Sequence, residues 1–247
     1  MRQTPGDPAW EPRPLLDPAD LARLREALVS AGYTAAGIAA RLGPAASAAA
    51  ARDDHRAALR ATADGDRLAT LIRLFVCGHP EPVEAVARAL APLPLDAAHA
   101  AGLVAQHPKG LVAGVELEPY GDEWWVVSDL PATARPGRSL PADHVLGVGG
   151  ASATLAGLTV RRPVATALDL GTGCGVQALH LATHADAVTA TDVNRRALRF
   201  AATTAALSGQ SWELRYGDLA APVAGRRFDL VVSNPPFVVG PGWSSHA

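Results

Sequence analysis

The run Leu168-Asp169-Leu170-Gly171-Thr172-Gly173-Cys174-Gly175 constrains this chain more than any other stretch. A short apolar segment, Val164 to Leu170, carries an acidic residue near its end. Three glycines at alternate positions follow, and then an apolar pattern of helical period from Val176 to Ala182. That order reads as strand, tight turn, helix. Glycines let the backbone adopt dihedrals closed to other residues and pass close to a ligand. The helix start offers N–H groups without intrahelical partners. Ligands of a parallel α/β sheet collect at the carboxyl ends of its strands, so a binding edge is expected here.

Three further features fall in order behind it. Asp192 ends the next strand, 187 to 191, about twenty residues after the first glycine, where a carboxylate can accept both hydroxyls of a ribose. Asp218 follows a third strand, 212 to 216, and Asn234-Pro235-Pro236-Phe237 follows a fourth, 228 to 233. Taken singly, an aspartate at a strand end is a turn former and Asn-Pro is a common turn. Taken in sequence, they put polar or special residues at all four strand ends.

Together these motifs resemble the class I S-adenosylmethionine (SAM) methyltransferases. Asn-Pro-Pro-Phe points within them to the amino-group methylators: release-factor glutamine, ribosomal-RNA guanine-N2 and adenine-N6 methyltransferases. The resemblance covers residues 142 to 240. It implies a Rossmann-like parallel sheet with strands in the order 3-2-1-4-5-7-6, of which this sequence supplies the first four. The domain is therefore expected to be truncated after its fourth strand, with a second chain as one way of completing the sheet. The glycine loop (Gly171, Thr172, Gly173, Gly175) is expected to hold the methionine part of SAM, and Asp169 to orient the loop or the amino group. Asp192 is expected at the ribose, and Asp218 with the backbone of Leu219 at the adenine. Asn234 and the Pro235 carbonyl are expected to accept the two N–H bonds of a planar amide or exocyclic amine. Pro236 stiffens that loop, and Phe237 offers a flat apolar face.

The rest of the sequence is less specific. Its 247 residues suffice for one large or two modest domains. A net charge of −2 gives no global field to recruit nucleic acid or membrane. The two cysteines, Cys77 and Cys174, match no metal spacing, and with no long apolar run or signal-peptide pattern they suggest a reducing cytoplasm. Residues 1–14 read as an arm, 15–130 as a mostly helical, winged-helix-like domain, 131–141 as a linker, and 142–247 as the SAM domain.

Within 15–130 the expected helices start with one holding Leu21, Leu24 and Leu28, ended by Gly32. One capped by Thr34 runs to about Leu42, and others lie near 44–62, 66–77, 81–90 and 95–104. A hairpin, 111–117 turning at 118–122 into 123–128, would be the wing. That hairpin carries Glu116, Glu118, Asp122 and Glu123, with no Lys or Arg from Gly110 to Ala134. A wing that enters a phosphate-lined groove needs basic charge, so docking to a protein acceptor or a structural role is favoured over nucleic-acid binding. His180 and His184, one helical turn apart, lack a third ligand and read as a structural pair. Arg195 and Arg196 read as solvated or carboxylate-paired. The function expected is N-methylation of a protein glutamine or of an RNA or DNA base amine. The alternatives are a non-catalytic SAM-binding module and a winged-helix nucleic-acid binder; a nicotinamide dehydrogenase leaves Asn-Pro-Pro-Phe without a role.

Overall fold

The computed structural model describes residues 10–121, 124–131 and 140–235. Helices come first. Asp17 caps α1 (Pro18–Ala31) by accepting from the Asp20 amide at 2.8 Å, and Gly32 ends it in the left-handed conformation, φ +70°. Thr34 caps α2 (Ala35–Ala50) by accepting from the Gly37 amide at 3.0 Å. This second helix kinks at Gly43, φ +71°, because Pro44 has no N–H to give the helical ladder. Next come α3 (Arg56–Ala61) and α4 (Arg67–Leu71), the latter continued by a π-helical turn, Ile72–Val76. α5 (Val83–Leu90) and α6 (Leu95–Ala100) complete the helical part.

Three expectations change here. The helix at 44–62 is two, because residues 51–55 turn between α2 and α3. The helix at 95–104 ends at Ala100, and Val104 opens a strand, β1 (Val104–His107). The single strand expected at 111–117 is split at Gly114 between β2 (Gly110–Ala113) and β3 (Glu116–Tyr120). Gly114 passes so close to the Gly102 carbonyl that no Cβ fits there, so the chain crosses itself and β2 turns back to pair with β1. β3 pairs instead with β4 (Trp124–Ser128), and 118–120 is strand rather than turn. Two antiparallel hairpins thus stand where one was expected, and Glu81 exchanges both backbone hydrogen bonds with Leu111 of β2 at 2.9 Å.

The remainder alternates strand and helix. α7 (Gly150–Leu158) precedes β5 (Val164–Leu170), α8 (Val176–Leu181), β6 (Ala185–Asp192), α9 (Arg195–Leu207), β7 (Glu213–Tyr216) and β8 (Leu230–Ser233). All pairings are parallel, in the order β7-β6-β5-β8. In order of appearance that is 3-2-1-4, as expected for a Rossmann-like sheet. A parallel sheet with βαβ crossovers puts every strand's carboxyl end on one edge.

α9 joins the two parts. Nine of its residues are buried, among them Phe200, Thr203 and Thr204. β4 would leave backbone donors unpaired on its free edge, and α9 satisfies them. The Val127 amide donates to the Thr204 hydroxyl at 3.1 Å, and the Trp125 amide to the Ser208 hydroxyl, just past the helix, at 3.2 Å. From the other side the Leu15 amide donates to the Thr203 hydroxyl at 2.9 Å. One apolar core therefore runs from Leu24, Leu28 and Trp125 through Cys174, Val176 and Phe200, across the expected boundary at 131–141.

Candidate active site

The glycine loop is fixed by its backbone. Gly171, Gly173 and Gly175 have φ +71°, +57° and +88°, which an L side chain adopts only at a cost. The amides of Gly171 and Thr172 both donate to the Thr191 carbonyl at 2.9 Å, tying the loop to the end of β6. A Cβ on Gly175 would strike the Trp212 ring, whereas the Cβ positions of Gly171 and Gly173 face open space. The loop is thus packed on one side and free on the side from which a ligand can approach.

Asp169 lies beneath it, 1% exposed. Its Oδ2 accepts from the Thr172 hydroxyl at 2.7 Å, and the Ala178 amide in the first turn of α8 also favours its charged form. Burial pushes this carboxyl up to about 7, against the opposing pull of the Thr172 bond, and the nearby Asp192 charge adds to the rise.

Asp192 closes β6. Its Oδ2 accepts from the Gly173 amide at 2.9 Å and its Oδ1 from the Asn194 amide at 2.8 Å. Burial raises its pKa, and these backbone bonds oppose the rise. Both oxygens are held in place and each keeps a lone pair, the arrangement a vicinal diol needs. Beyond β7, Asp218 is exposed and Leu219 is held at φ +45°, with its side chain 67% exposed. The Thr191 hydroxyl anchors the Leu219 carbonyl at 3.1 Å. Val193, next to Asp192, is 55% exposed. Two uncovered apolar side chains therefore follow the ends of adjacent strands. The sequence reading missed Val193; an apolar residue directly after a strand-ending acid was the available signal.

At the end of β8 the Asn234 side chain donates from Nδ2 to the Ser152 hydroxyl at 3.1 Å. Ser152 lies in α7, and its carbonyl accepts from Gln177 Nε2 of α8 at 2.8 Å. Neither Ser152 nor Gln177 was singled out in the sequence. The contact joins positions 82 apart, and no local pattern announces it. With Nδ2 committed to Ser152, Oδ1 of Asn234 accepts nothing from the described residues. Ser233 ties the same strand end to the Leu170 carbonyl at 2.9 Å. Pro235 is exposed; Pro236 and Phe237 lie outside the described residues.

The side chains set aside as structural have partners. His180 Nε2 meets the Tyr120 hydroxyl at 2.8 Å. Arg196 grips Asp129 with two nitrogens, the shorter contact 2.6 Å, and the Arg195 guanidinium sits 5.0 Å from the Trp10 ring and 4.9 Å from the Tyr216 ring.

Comparison with known proteins matches two separate stretches of the chain. Residues 149–246 match the family model of the methyltransferase small domain. Residues 30–114 match a family described as a domain of unknown function. A release factor glutamine methyltransferase from Deinococcus radiodurans is 47% identical over 73 residues, 29% of this chain and 26% of that protein. A ribosomal protein uL3 glutamine methyltransferase from Bradyrhizobium diazoefficiens is 36% identical over 96 residues, 36% of this chain and 30% of that protein. A ribosomal RNA small subunit methyltransferase C from Salmonella arizonae is 32% identical over 128 residues, 49% of this chain and 34% of that protein. The chain thus spans about a quarter to a third of the length of these relatives.

Proposed function

We propose, from the methyltransferase small domain matched at residues 149–246, that this chain carries the cofactor and acceptor sites of a SAM-dependent N-methyltransferase. The residues fit that cofactor. Gly171 and Gly173 leave room beside the loop, and the Asp192 oxygens suit a ribose. Val193 and Leu219 offer apolar faces for a flat base. SAM supplies, when bound, an electrophilic methyl group on a cationic sulfur.

The observation that carries the reading is Asn234. One N–H of its amide goes to Ser152, and its Oδ1, which accepts nothing from the described residues, lies at the end of β8, on the same sheet edge as Asp192. Asn234 Oδ1 and the Pro235 carbonyl can each accept one N–H of an acceptor amide or amine. Those bonds strengthen as the nitrogen gains positive charge, so they favour the transition state over the ground state. The acceptor is a protein glutamine or an RNA or DNA base amine, as the relatives' names include both protein and RNA methyltransferases. The compartment is the cytoplasm. The outer edge of β8, unpaired among the described residues, is where a second chain or further strands add.

The element order α4, Glu81 segment, α5, α6, β1, β2 supports a winged-helix-like reading of 66–113, with its wing at His107–Gly110 rather than 111–128. Its last helix, α6, has Asp96 and His99 but no Lys or Arg, which disfavours a nucleic-acid groove as its target.

Calorimetric titration of SAM tests the cofactor site. The expected result is micromolar binding, about −8 kcal/mol, weakened about ten- to a hundredfold in Asp192→Ala. Affinity unchanged by this substitution sinks the assignment. Methyl transfer, measured with labelled SAM and candidate acceptors, should fall about a hundredfold or more in Asn234→Ala with SAM affinity unchanged. A non-catalytic module instead shows SAM binding without transfer in either form.

A further inference from the structure

A cleft of about 900 Å³ opens between α2, the π-helical turn and β3. It is separate from the strand ends described above. Ile38, Leu42, Phe75 and Val76 give it an apolar wall. Opposite them stand Glu116 and Glu118, two apart on β3 and hence on one face of the strand. Both carboxyls are held above the usual carboxylate range by burial, and Glu118 reaches about 7 with added repulsion from Glu116. Glu116 accepts from the Ser128 hydroxyl at 2.9 Å. Among the described residues no Lys or Arg lines the cleft, and the charge acting on Glu118 is that of Glu116.

A second observation points the same way. Ser47 Oγ and His55 Nδ1 belong to residues lining this cleft, and both atoms are buried without a hydrogen-bond partner among the described residues. Polar atoms and carboxylates withdrawn from water cost free energy unless something pairs with them. The wall includes a π-helical turn, a distortion frequent at functional sites. Ser128 and His144 favour the charged form of Glu116, while Glu118 has no such partner among the described residues; an apolar channel carrying these two acids matches a cationic head on an aliphatic stem, the shape of an arginine or lysine side chain. Nucleic acid phosphates would be repelled by the same carboxylates.

Val148 borders the cleft and comes four residues before Ser152, the partner of Asn234. Gly147 lies against the Glu116 carboxylate so closely that no Cβ fits, and the Glu118 charge acts on the Cys174 thiol inside the glycine loop. We propose that this cleft seats a basic side chain of the protein that carries the methyl-accepting group, with Glu116 and Glu118 as its counter-charges. The proposal rests on the methyltransferase reading but is tested without turnover.

The probe is Nα-acetylarginine N-methylamide, titrated into the full chain and followed by amide chemical shifts, with the neutral citrulline analogue as control. Saturable binding is expected, with shifts centred on β3 and α2 and at least tenfold weaker binding of the citrulline analogue. Glu118→Gln should weaken the arginine probe about tenfold, as expected for a lost charge-assisted bond. Ala39→Arg places a guanidinium on the exposed rim of the same cleft while leaving the acids in place, and should abolish binding. It keeps the test decisive if Glu118→Gln does not fold. Equal affinity for the two probes, indifference to Ala39→Arg, or displacement of the arginine probe by an oligouridine overturns the proposal. A failure of SAM binding in the Asp192 experiment would instead sink the methyltransferase reading and leave these shifts unaffected.

Discussion

The helical half and the sheet edge use their side chains in opposite ways. The helical half buries large residues completely: Leu24, Leu28, Tyr33, Leu71, Ile72, Leu74 and Leu90 are all inaccessible. The apolar cluster within the sheet layer is small, built from Ala167, Ala178, Leu181, Val188, Ala190 and Val232. At the sheet's carboxyl edge the chain holds what a stable core avoids. Leu219 sits in a left-handed conformation, Val193 and Leu219 are uncovered, and a carboxyl, Asp169, is buried beneath the glycine loop. Such features persist only where the surroundings over-determine them. Here α9 and the hairpin packed on it supply that support, so the stability lies away from the edge that is to meet a ligand.

The largest effect should come from breaking the support. Trp125 is 2% exposed, and its indole N–H donates to the Tyr33 carbonyl at 2.8 Å. Trp125→Ala should cost about 3–5 kcal/mol in urea unfolding. A loss below about 1 kcal/mol would mean that the hairpin is not part of the common core.

A titration distinguishes the two regions next. A carboxyl whose folded pKa is raised binds more protons folded than unfolded, so it makes stability fall as pH rises. For Asp169 the window runs from about 4, its ordinary value, to about 7, and the loss is on the order of a few kcal/mol. Glu118 adds to the same window. Asp169→Asn should flatten the decline between pH 4 and 7, as read by melting temperature. An unchanged slope would show that Asp169 is ionised in the folded chain, paired in some other way.

At the edge, Asp192→Ala should weaken SAM by about ten- to a hundredfold, the scale of hydrogen bonds to a charged group. If the edge is as separable from the core as the contrast suggests, its melting temperature moves far less than that of Trp125→Ala. The smallest effect should be Leu219→Gly. Removing the side chain relieves the left-handed strain, worth about 1 kcal/mol, but strips one of the two apolar faces. It should therefore raise stability slightly while lowering SAM affinity several-fold. A variant that improves neither or both would show that Leu219 packs rather than binds.

The strand–loop–helix at 164–182 could be read because each residue states its own local requirement. Alternate glycines at positive φ, an apolar run bounded by an acid, and a helical period after it need no distant partner. The helix end at Gly32 and the cap at Thr34 were readable for the same reason. The hairpins were not. Whether Val104 is helix or strand depends on Ala113, its partner in register, and the division at Gly114 depends on the Gly102 carbonyl passing beneath it. Glu118-Pro119-Tyr120 has the composition of a turn, yet pairing with β4 extends it.

The sequence by itself determined the order of the strands' chemical ends, the glycine loop, and the acids and the asparagine that follow them, because dihedral limits and hydrophobic period act over a few residues. Tertiary structure alone decided how those residues are presented. It joined Asn234 to Ser152 across 82 positions, buried Asp169 beneath the glycine loop, and set Glu116 and Glu118 on the wall of a cleft. The physical reason is that hydrogen-bond satisfaction and desolvation are settled by groups tens of residues apart in the chain, and only the packed molecule brings them within reach.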